Sequence, residues 1–283
     1  MKNYQNISVY GDIDWRLLWR QSRSAKSWKS KNAGDWDKKA EAFAGRTRDS
    51  AYVGLFLKHL DLGKDVSVLD VGCGPGTLAL PIAEQVKQVT AIDYSKGMLE
   101  LLNERAEKQG VNNIKTVHCS WEDDWSEFGI GPHNLVIASR SMNIPDLAGA
   151  LQKLDHYATD TIHVAERISP SPFDPEAFAA LGREFNSGPD YIYTVNMLYQ
   201  LGIHPRIERI ELKRELHFEN LDQAVKGYAW MFKDLLPEEE QLLEKFVSKR
   251  IITQKDDHII VKRDHPQRWA LLSWSKVDTK LRS

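Results

Sequence analysis

The chain is 283 residues long, 42% hydrophobic, with a formal net charge of −2. That length and composition suit one elaborated domain with a full core, and the near-neutral charge gives no global pull toward nucleic acid or an anionic membrane. Two cysteines, Cys73 and Cys119, are too few for a disulfide framework. No apolar run reaches the roughly 18 residues of a membrane span, and residues 1–15 lack a signal-peptide core, so the expected setting is cytoplasmic.

Residues 1–50 carry Trp15, Trp19, Trp28 and Trp36, four of the nine tryptophans, and from Arg16 to Arg48 ten Lys or Arg stand against three acids. Trp15, Leu18 and Trp19 have helical spacing, as do Trp36, Ala40, Phe43 and Ala44, with Asp35 a candidate cap. The segment predicts a helical arm folded over the core. Its tryptophans either anchor that arm or, Trp36 foremost, close a pocket.

Residues 51–165 alternate. A helix at 51–60 is followed by a strand at 66–70, a helix at 77–85, a strand at 89–93, a helix at 96–109, and strands at 114–119 and 134–139. A helix at 146–156 and a strand at 161–165 complete the run. Strands separated by helices form a parallel sheet with right-handed crossovers, and ligands of such sheets bind beyond the carboxyl ends of the strands. The remainder is less regular. A proline-rich loop at 168–175 precedes helices at 175–185 and 191–201, a long strand at 207–218 and a last strand at 269–274. Residues 219–266, between those strands, hold helices near 221–235 and 237–250.

The sequence VLDVGCGPG at 68–76 is the most informative segment. A buried strand bearing Asp70 runs into Gly72, Cys73, Gly74, Pro75 and Gly76, and the next strand ends in Asp93 about twenty residues on, the half-unit that binds an adenosine-containing cofactor. The third glycine arrives one residue too early for a dinucleotide fingerprint, a proline sits in the turn, and Asp70 would repel a pyrophosphate. These features oppose a nicotinamide-dependent oxidoreductase. A cofactor without phosphate, carrying a sulfonium and an ammonium, suits Asp70 better.

With those residues in view, positions 36–166 resemble the class I S-adenosylmethionine-dependent methyltransferases. The resemblance implies a doubly wound, mostly parallel seven-stranded α/β sheet (the Rossmann-like methyltransferase fold) whose last strand is antiparallel. It implies a helical lid over 1–50 and a methyltransferase domain over 51–283, with 219–266 an inserted helical substrate cover. S-adenosylmethionine would be the methyl donor and S-adenosylhomocysteine the product. Asp70 would orient the amino group of the methionine moiety, and Gly72, Cys73, Gly74 and Gly76 would let the backbone approach. Asp93 would accept from two ribose hydroxyls, a vicinal diol matching a carboxylate, although capping the next helix is its alternative role. Tyr94 and Met98 would pack on adenine, with core packing explaining them nearly as well. Trp121 would stack on the ring and Glu122 would meet its amino group, with Asp123 the competing acid. Trp36 would belong to the lid, and Ser139 would touch the methionine moiety.

The acceptor side is less defined. Residues 139–143 (SRSMN) lack the Asn/Asp-Pro-Pro-Tyr motif of the DNA adenine and glutamine methyltransferases. Arg140 points either to an anionic acceptor or to an ion pair with an acid such as Glu166. Tyr191, Tyr193 and Trp230 are candidate substrate contacts, with His133, Glu166 and His204 further rim candidates, while His163 reads as core. No residue stands out as a general base. His and Cys spacing offers no metal site. Asp256, Asp257 and His258, like Asp264 and His265, read as polar turns. The expected reaction is in-line methyl transfer to a small-molecule acceptor by a monomer or homodimer. The alternatives are a methyltransferase acting on RNA or protein, favoured by the basic arm, and a non-catalytic protein that binds S-adenosylmethionine.

Overall fold

The computed structural model describes residues 10–28, 30, 32–47, 50–232, 234–255 and 258–276. Asp256 and Asp257 lie outside the described residues, as does part of the arm expected at 1–50. Helices α1 (Trp15–Ala25), α2 (Ala33–Asp37), α3 (Ala40–Thr47) and α4 (Ala51–Leu57) precede the first strand. Asp14 starts α1 by accepting from the Leu17 N–H, and Ser50 starts α4 by accepting from Tyr52 N–H. The single helix expected through Trp36 and Ala44 is two, α2 and α3. Asn32, not Asp35, is the cap of α2; Asp35 answers from the third helical position in a reciprocal capping box.

The alternating region runs β1 (Ser67–Val71), α5 (Ala79–Ala83), β2 (Gln88–Asp93), α6 (Lys96–Gln109), β3 (Ile114–His118), β4 (His133–Ser139), α7 (Leu147–Tyr157) and β5 (Ala158–Arg167). Helix α6 matches its expected bounds because its signals are strong: Ser95 accepts from Met98 N–H at one end, and Gly110 takes a left-handed conformation at the other. The chain continues through α8 (Pro175–Ala180), α9 (Tyr191–Gln200), β6 (Arg206–Glu211), β7 (Glu215–Phe218), α10 (Leu221–Ala229), α11 (Pro237–Ser248), β8 (Ile251–Lys255), β9 (His258–Lys262) and β10 (Arg268–Ser275).

Among the described residues, seven strands form one sheet in the order β3-β2-β1-β4-β5-β10-β6. The first five pair in parallel, and β10 runs antiparallel to both of its neighbours. Central strands β1 and β4 are buried nearly throughout, as a parallel sheet covered on both faces requires, whereas edge strand β6 is largely exposed and edge strand β3 has no buried residue. One face packs Trp125, Leu151, Leu154 and Trp19, and the other packs Tyr52, Phe56, Ile82 and Leu102. The order reverses between β1 and β4, so the carboxyl ends of these two strands open a crevice.

The long strand expected at 207–218 is two strands in different sheets. β6 stays in the main sheet, and the chain leaves it before β7, which joins β9 and β8 in a separate three-stranded antiparallel sheet. The insertion is thus not purely helical and begins at β7. Its α10 and α11 share a third core with Phe173, Phe178 and Leu181 from the loop and helix after β5.

Candidate functional site

The residues singled out around 68–76 converge at the carboxyl ends of β1 and β2. The N–H groups of Gly72 and Cys73 both donate to Ile92 O, at 2.8 and 3.0 Å, which locks the turn onto the end of β2. The three glycines have φ of 72°, 54° and 76°, which favours glycine at each. They differ in surroundings. A Cβ on Gly76 would meet Leu102 Cδ1 at 2.2 Å and one on Gly72 would meet Ser141 Cβ at 2.4 Å, whereas one on Gly74 would meet nothing nearer than Phe43 Cε1 at 3.9 Å. Arg105 braces the turn from α6, donating to Pro75 O at 2.6 Å.

Asp93 closes β2 with its carboxylate accepting from the N–H of Gly74 and of Ser95, each at 2.9 Å. Burial pushes its pKa up, and those backbone donors offset part of the shift. Asp70 is 2% exposed, and its Oδ2 is buried without a hydrogen-bond partner. Burial and then the neighbouring Asp93 push its pKa up to about 7. A buried carboxyl without a donor is costly, and a cationic group against Oδ2 would satisfy it. Cys73 and Cys119 are buried free thiols, both pushed up by burial first.

The third strand contributes as expected, with roles divided. Asp123 Oδ2 accepts from the Ser120 N–H at 2.7 Å, so this acid is spent on the turn. Glu122 is exposed, and its charge acts on Tyr94. Trp121 is half-buried against Trp125, ring centroids 5.6 Å apart. Trp36 hydrogen-bonds Tyr94 through its side chain and packs edge-on to Phe43. Met98 is buried with Ala40, Ala44 and Leu101, and Trp36 and Phe43 pack against that cluster.

The arm reaches both sides of the crevice. On one side Asp37 Oδ1 accepts from the Ser95 hydroxyl at 2.6 Å and from the Gly97 N–H at 3.0 Å. Two donors at the start of α6 thus hold α2 down, and their hydrogen bonds lower the Asp37 pKa. On the other side Trp19, 2% exposed, donates from its indole to Ile144 O at 2.8 Å, and Arg23 donates to Asn143 Oδ1 and O.

Beyond β4, Ser139 Oγ and the Tyr52 hydroxyl share a hydrogen bond at 2.7 Å. Arg140 lies with its guanidinium over the rings of Tyr52, at 4.3 Å, and Trp269, at 5.8 Å. No ion pair to Glu166 forms. Glu166 is buried with Oε1 unpartnered, and burial raises its pKa to about 7. Tyr52 and Trp269 escape a sequence reading because they come from α4 and β10, far apart in the chain. The pattern that flags Tyr52 is only a polar-tipped ring in an otherwise apolar helix.

The other candidates serve the framework. His133 sits at the opposite, amino end of β4, bonded to Gly131 O and Thr90 Oγ1 at 2.8 Å each. His163 is buried, and desolvation lowers its pKa to about 4. Tyr193 stacks edge-on against Trp15 and Trp19 and so holds the arm, and Tyr191 packs on the same core. Trp230 packs against Phe173 in the third core, and His204 against Tyr199 on the surface.

The family model of a methyltransferase domain matches residues 68–158. An uncharacterized protein of Haemophilus influenzae is 33% identical over 273 residues, spanning 95% of this chain and 98% of its own. A probable cobalt-precorrin-6B C(15)-methyltransferase of Methanocaldococcus jannaschii is 34% identical over 36% of this chain and 56% of its own length. A 23S rRNA (uracil(1939)-C(5))-methyltransferase of Vibrio parahaemolyticus is 26% identical over 55% of this chain and 33% of its own. The crystal structure of a putative methyltransferase from Bacillus halodurans shares the fold, with a TM-score of 0.56 at 15% identity over 80% of this chain and 99% of that one. Strand order, glycine turn and domain match agree: this chain belongs to the class I S-adenosylmethionine-dependent methyltransferases and is an enzyme that uses S-adenosylmethionine.

Proposed function

We propose that the enzyme methylates a small-molecule acceptor, with the donor lying along the carboxyl ends of β1, β2 and β3. Asp70 Oδ2 takes the donor's ammonium group, and the turn from Gly72 to Gly76 lets the backbone come close. Asp93 accepts from the ribose hydroxyls with the lone pairs its backbone donors leave free. Glu122 meets the adenine amino group, with Trp121, Tyr94 and Trp36 around the ring. When bound, S-adenosylmethionine supplies an electrophilic methyl group on a sulfonium. The chain's own contribution is alignment and exclusion of water, which for an in-line displacement is a large part of the rate.

The observation that carries the small-molecule reading is the arm. Asp37 fastens it over α6, and Trp19 and Arg23 fasten it beyond β4. A polymer would need that roof withdrawn. The inserted subdomain, whose core includes Phe173 and is packed by Trp28 of the arm, extends the cover. A second reading, an RNA acceptor, draws on Lys26 and Arg167 standing over Trp28 at 4.6 and 5.0 Å. That ring is already engaged, donating to Ser187 O and packing on Phe173, which counts against base stacking.

The test incubates the enzyme with methyl-labelled S-adenosylmethionine and a cell extract split into low-mass, RNA and protein fractions. Label in the low-mass fraction, lost with Asp93→Ala, supports the reading. Ribonuclease-sensitive label in the RNA fraction overturns it.

A further inference from the structure

Arg140 is a cation without an anion. Among the described residues its guanidinium makes no ion pair and no hydrogen bond, and its printed neighbours are the faces of Tyr52 and Trp269. Both rings are buried, Tyr52 fully, and Arg140 itself is exposed. The guanidinium therefore rests on an aromatic wall while the residue as a whole stays accessible, at the carboxyl end of β4 beside the crevice.

The backbone points the same way. Arg140 has φ 60°, in the left-handed region that a long side chain rarely occupies, and its N–H is held by Ala165 O at 2.9 Å. Such strain at a strand end, maintained by the sheet, is a mark of functional positions. The strand end is also close to the donor side. Ser141, the next residue, donates its hydroxyl to Val71 O at 2.7 Å and packs against Gly72.

The neighbouring charges define what this cation takes. Tyr52 feels Arg140, Asp70 and Glu166 together, so one guanidinium shares this end of the sheet with two carboxyl groups. A dianion would be repelled by those carboxyls. A monoanion with two oxygens fits one planar guanidinium, whose parallel N–H groups bond it in bidentate fashion. Stacking against Tyr52 and Trp269 fixes the plane of that fork.

We propose that Arg140 binds the carboxylate of the methyl acceptor, so that the substrates of this enzyme are small monocarboxylic acids methylated at another position. The proposal rests on the small-molecule reading above and narrows it to a chemical class.

The experiment uses the full chain saturated with S-adenosylhomocysteine, whose binding is measured first on the same sample. The Arg140 Nε–H resonance, assigned by its loss in Arg140→Lys, is followed by NMR during titration with benzoate, benzamide and inorganic phosphate at constant ionic strength. Benzoate is expected to move it saturably with a Kd of roughly 1 mM, benzamide to leave it in place, and phosphate to bind at least tenfold more weakly. Arg140→Gln is expected to keep S-adenosylhomocysteine affinity within about twofold and to lose benzoate binding, and Arg140→Lys to weaken benzoate at least tenfold. Equal shifts from benzamide and benzoate would leave a small-molecule crevice but remove the carboxylate. Tighter binding of phosphate, or no response to benzoate on donor-saturated protein, would also overturn the assignment. Failure of S-adenosylhomocysteine to bind would strike the donor site itself.

Discussion

Asp37 and Ser95 are joined by a 2.6 Å hydrogen bond that ties the N-terminal arm to the first turn of α6. The same carboxylate accepts from Gly97 N–H, at a point where a Cβ on Gly97 would meet Asp37 Cα at 3.1 Å. One acidic side chain therefore serves as a cap for α6 and as the fastening of α2 to the start of that helix. Asp37→Ala is expected to weaken S-adenosylhomocysteine binding roughly three- to tenfold, since a cap and a cover are lost together. Calorimetric titration measures it, and limited proteolysis should show faster cleavage within the arm. Unchanged affinity and unchanged cleavage would disconnect the arm from the donor site.

Asp70 links donor binding to pH. Its folded pKa is raised to about 7, while in an unfolded chain the group ionises near about 4. The stability it contributes is fully present below pH 4 and is lost as pH rises toward 7, because the folded state holds the proton longer. Asp70→Asn removes that loss and should stabilise the unliganded protein at pH 8 by about 2–4 kcal/mol in urea unfolding. The same variant should bind S-adenosylmethionine roughly 30- to 100-fold more weakly, having no charge for the ammonium. In the wild type, affinity should fall up to about tenfold per pH unit below 7, with a proton released on binding. A destabilised Asp70→Asn variant, or pH-independent affinity, would contradict this account.

Gly74 and Gly76 separate folding from ligand approach. Gly76→Ala meets the buried Leu102 and adds a positive-φ penalty, and should cost about 2–3 kcal/mol in denaturant titrations. Gly74→Ala meets no close neighbour and should cost only about 1 kcal/mol. Its Cβ would lie beside the Gly74 N–H that Asp93 accepts, so donor affinity should still drop at least tenfold. A Gly74→Ala variant that binds S-adenosylhomocysteine normally would show that the donor stays clear of that turn.

The sequence was most legible where signals are local. The Asp70 turn, Asp93 and Ser95 lie within one strand-turn-helix-strand unit, so their proximity follows from the pattern itself. The sheet followed from strands and helices in alternation, and α6 has the bounds expected of it, with Ser95 and Gly110 closing its two ends. Arg140 was visible, but its surroundings were not. Tyr52 and Trp269 reach it from α4 and β10, through packing and antiparallel register that no short window contains. The break after β6 was hidden because Arg206 to Phe218 keeps strand-like chemistry across the exit from the sheet. The antiparallel pairing of β8 with β9 was missed because both strands are short. The difference between Glu122 and Asp123 was undecided in sequence, since only the turn at Ser120 consumes one of them.

The insertion has a property of its own. Its two ends meet: Leu212 N–H donates to Gln267 O at 2.9 Å, next to the paired residues Glu211 and Arg268. To the main sheet, the roughly fifty residues between are an enlarged hairpin turn, and closing so long a loop costs little more than closing a shorter one. The strands of the main sheet therefore place few demands on the length or content of this module. Shortening or replacing the module between Leu212 and Gln267 would leave the pairing of β6 with β10 as it is.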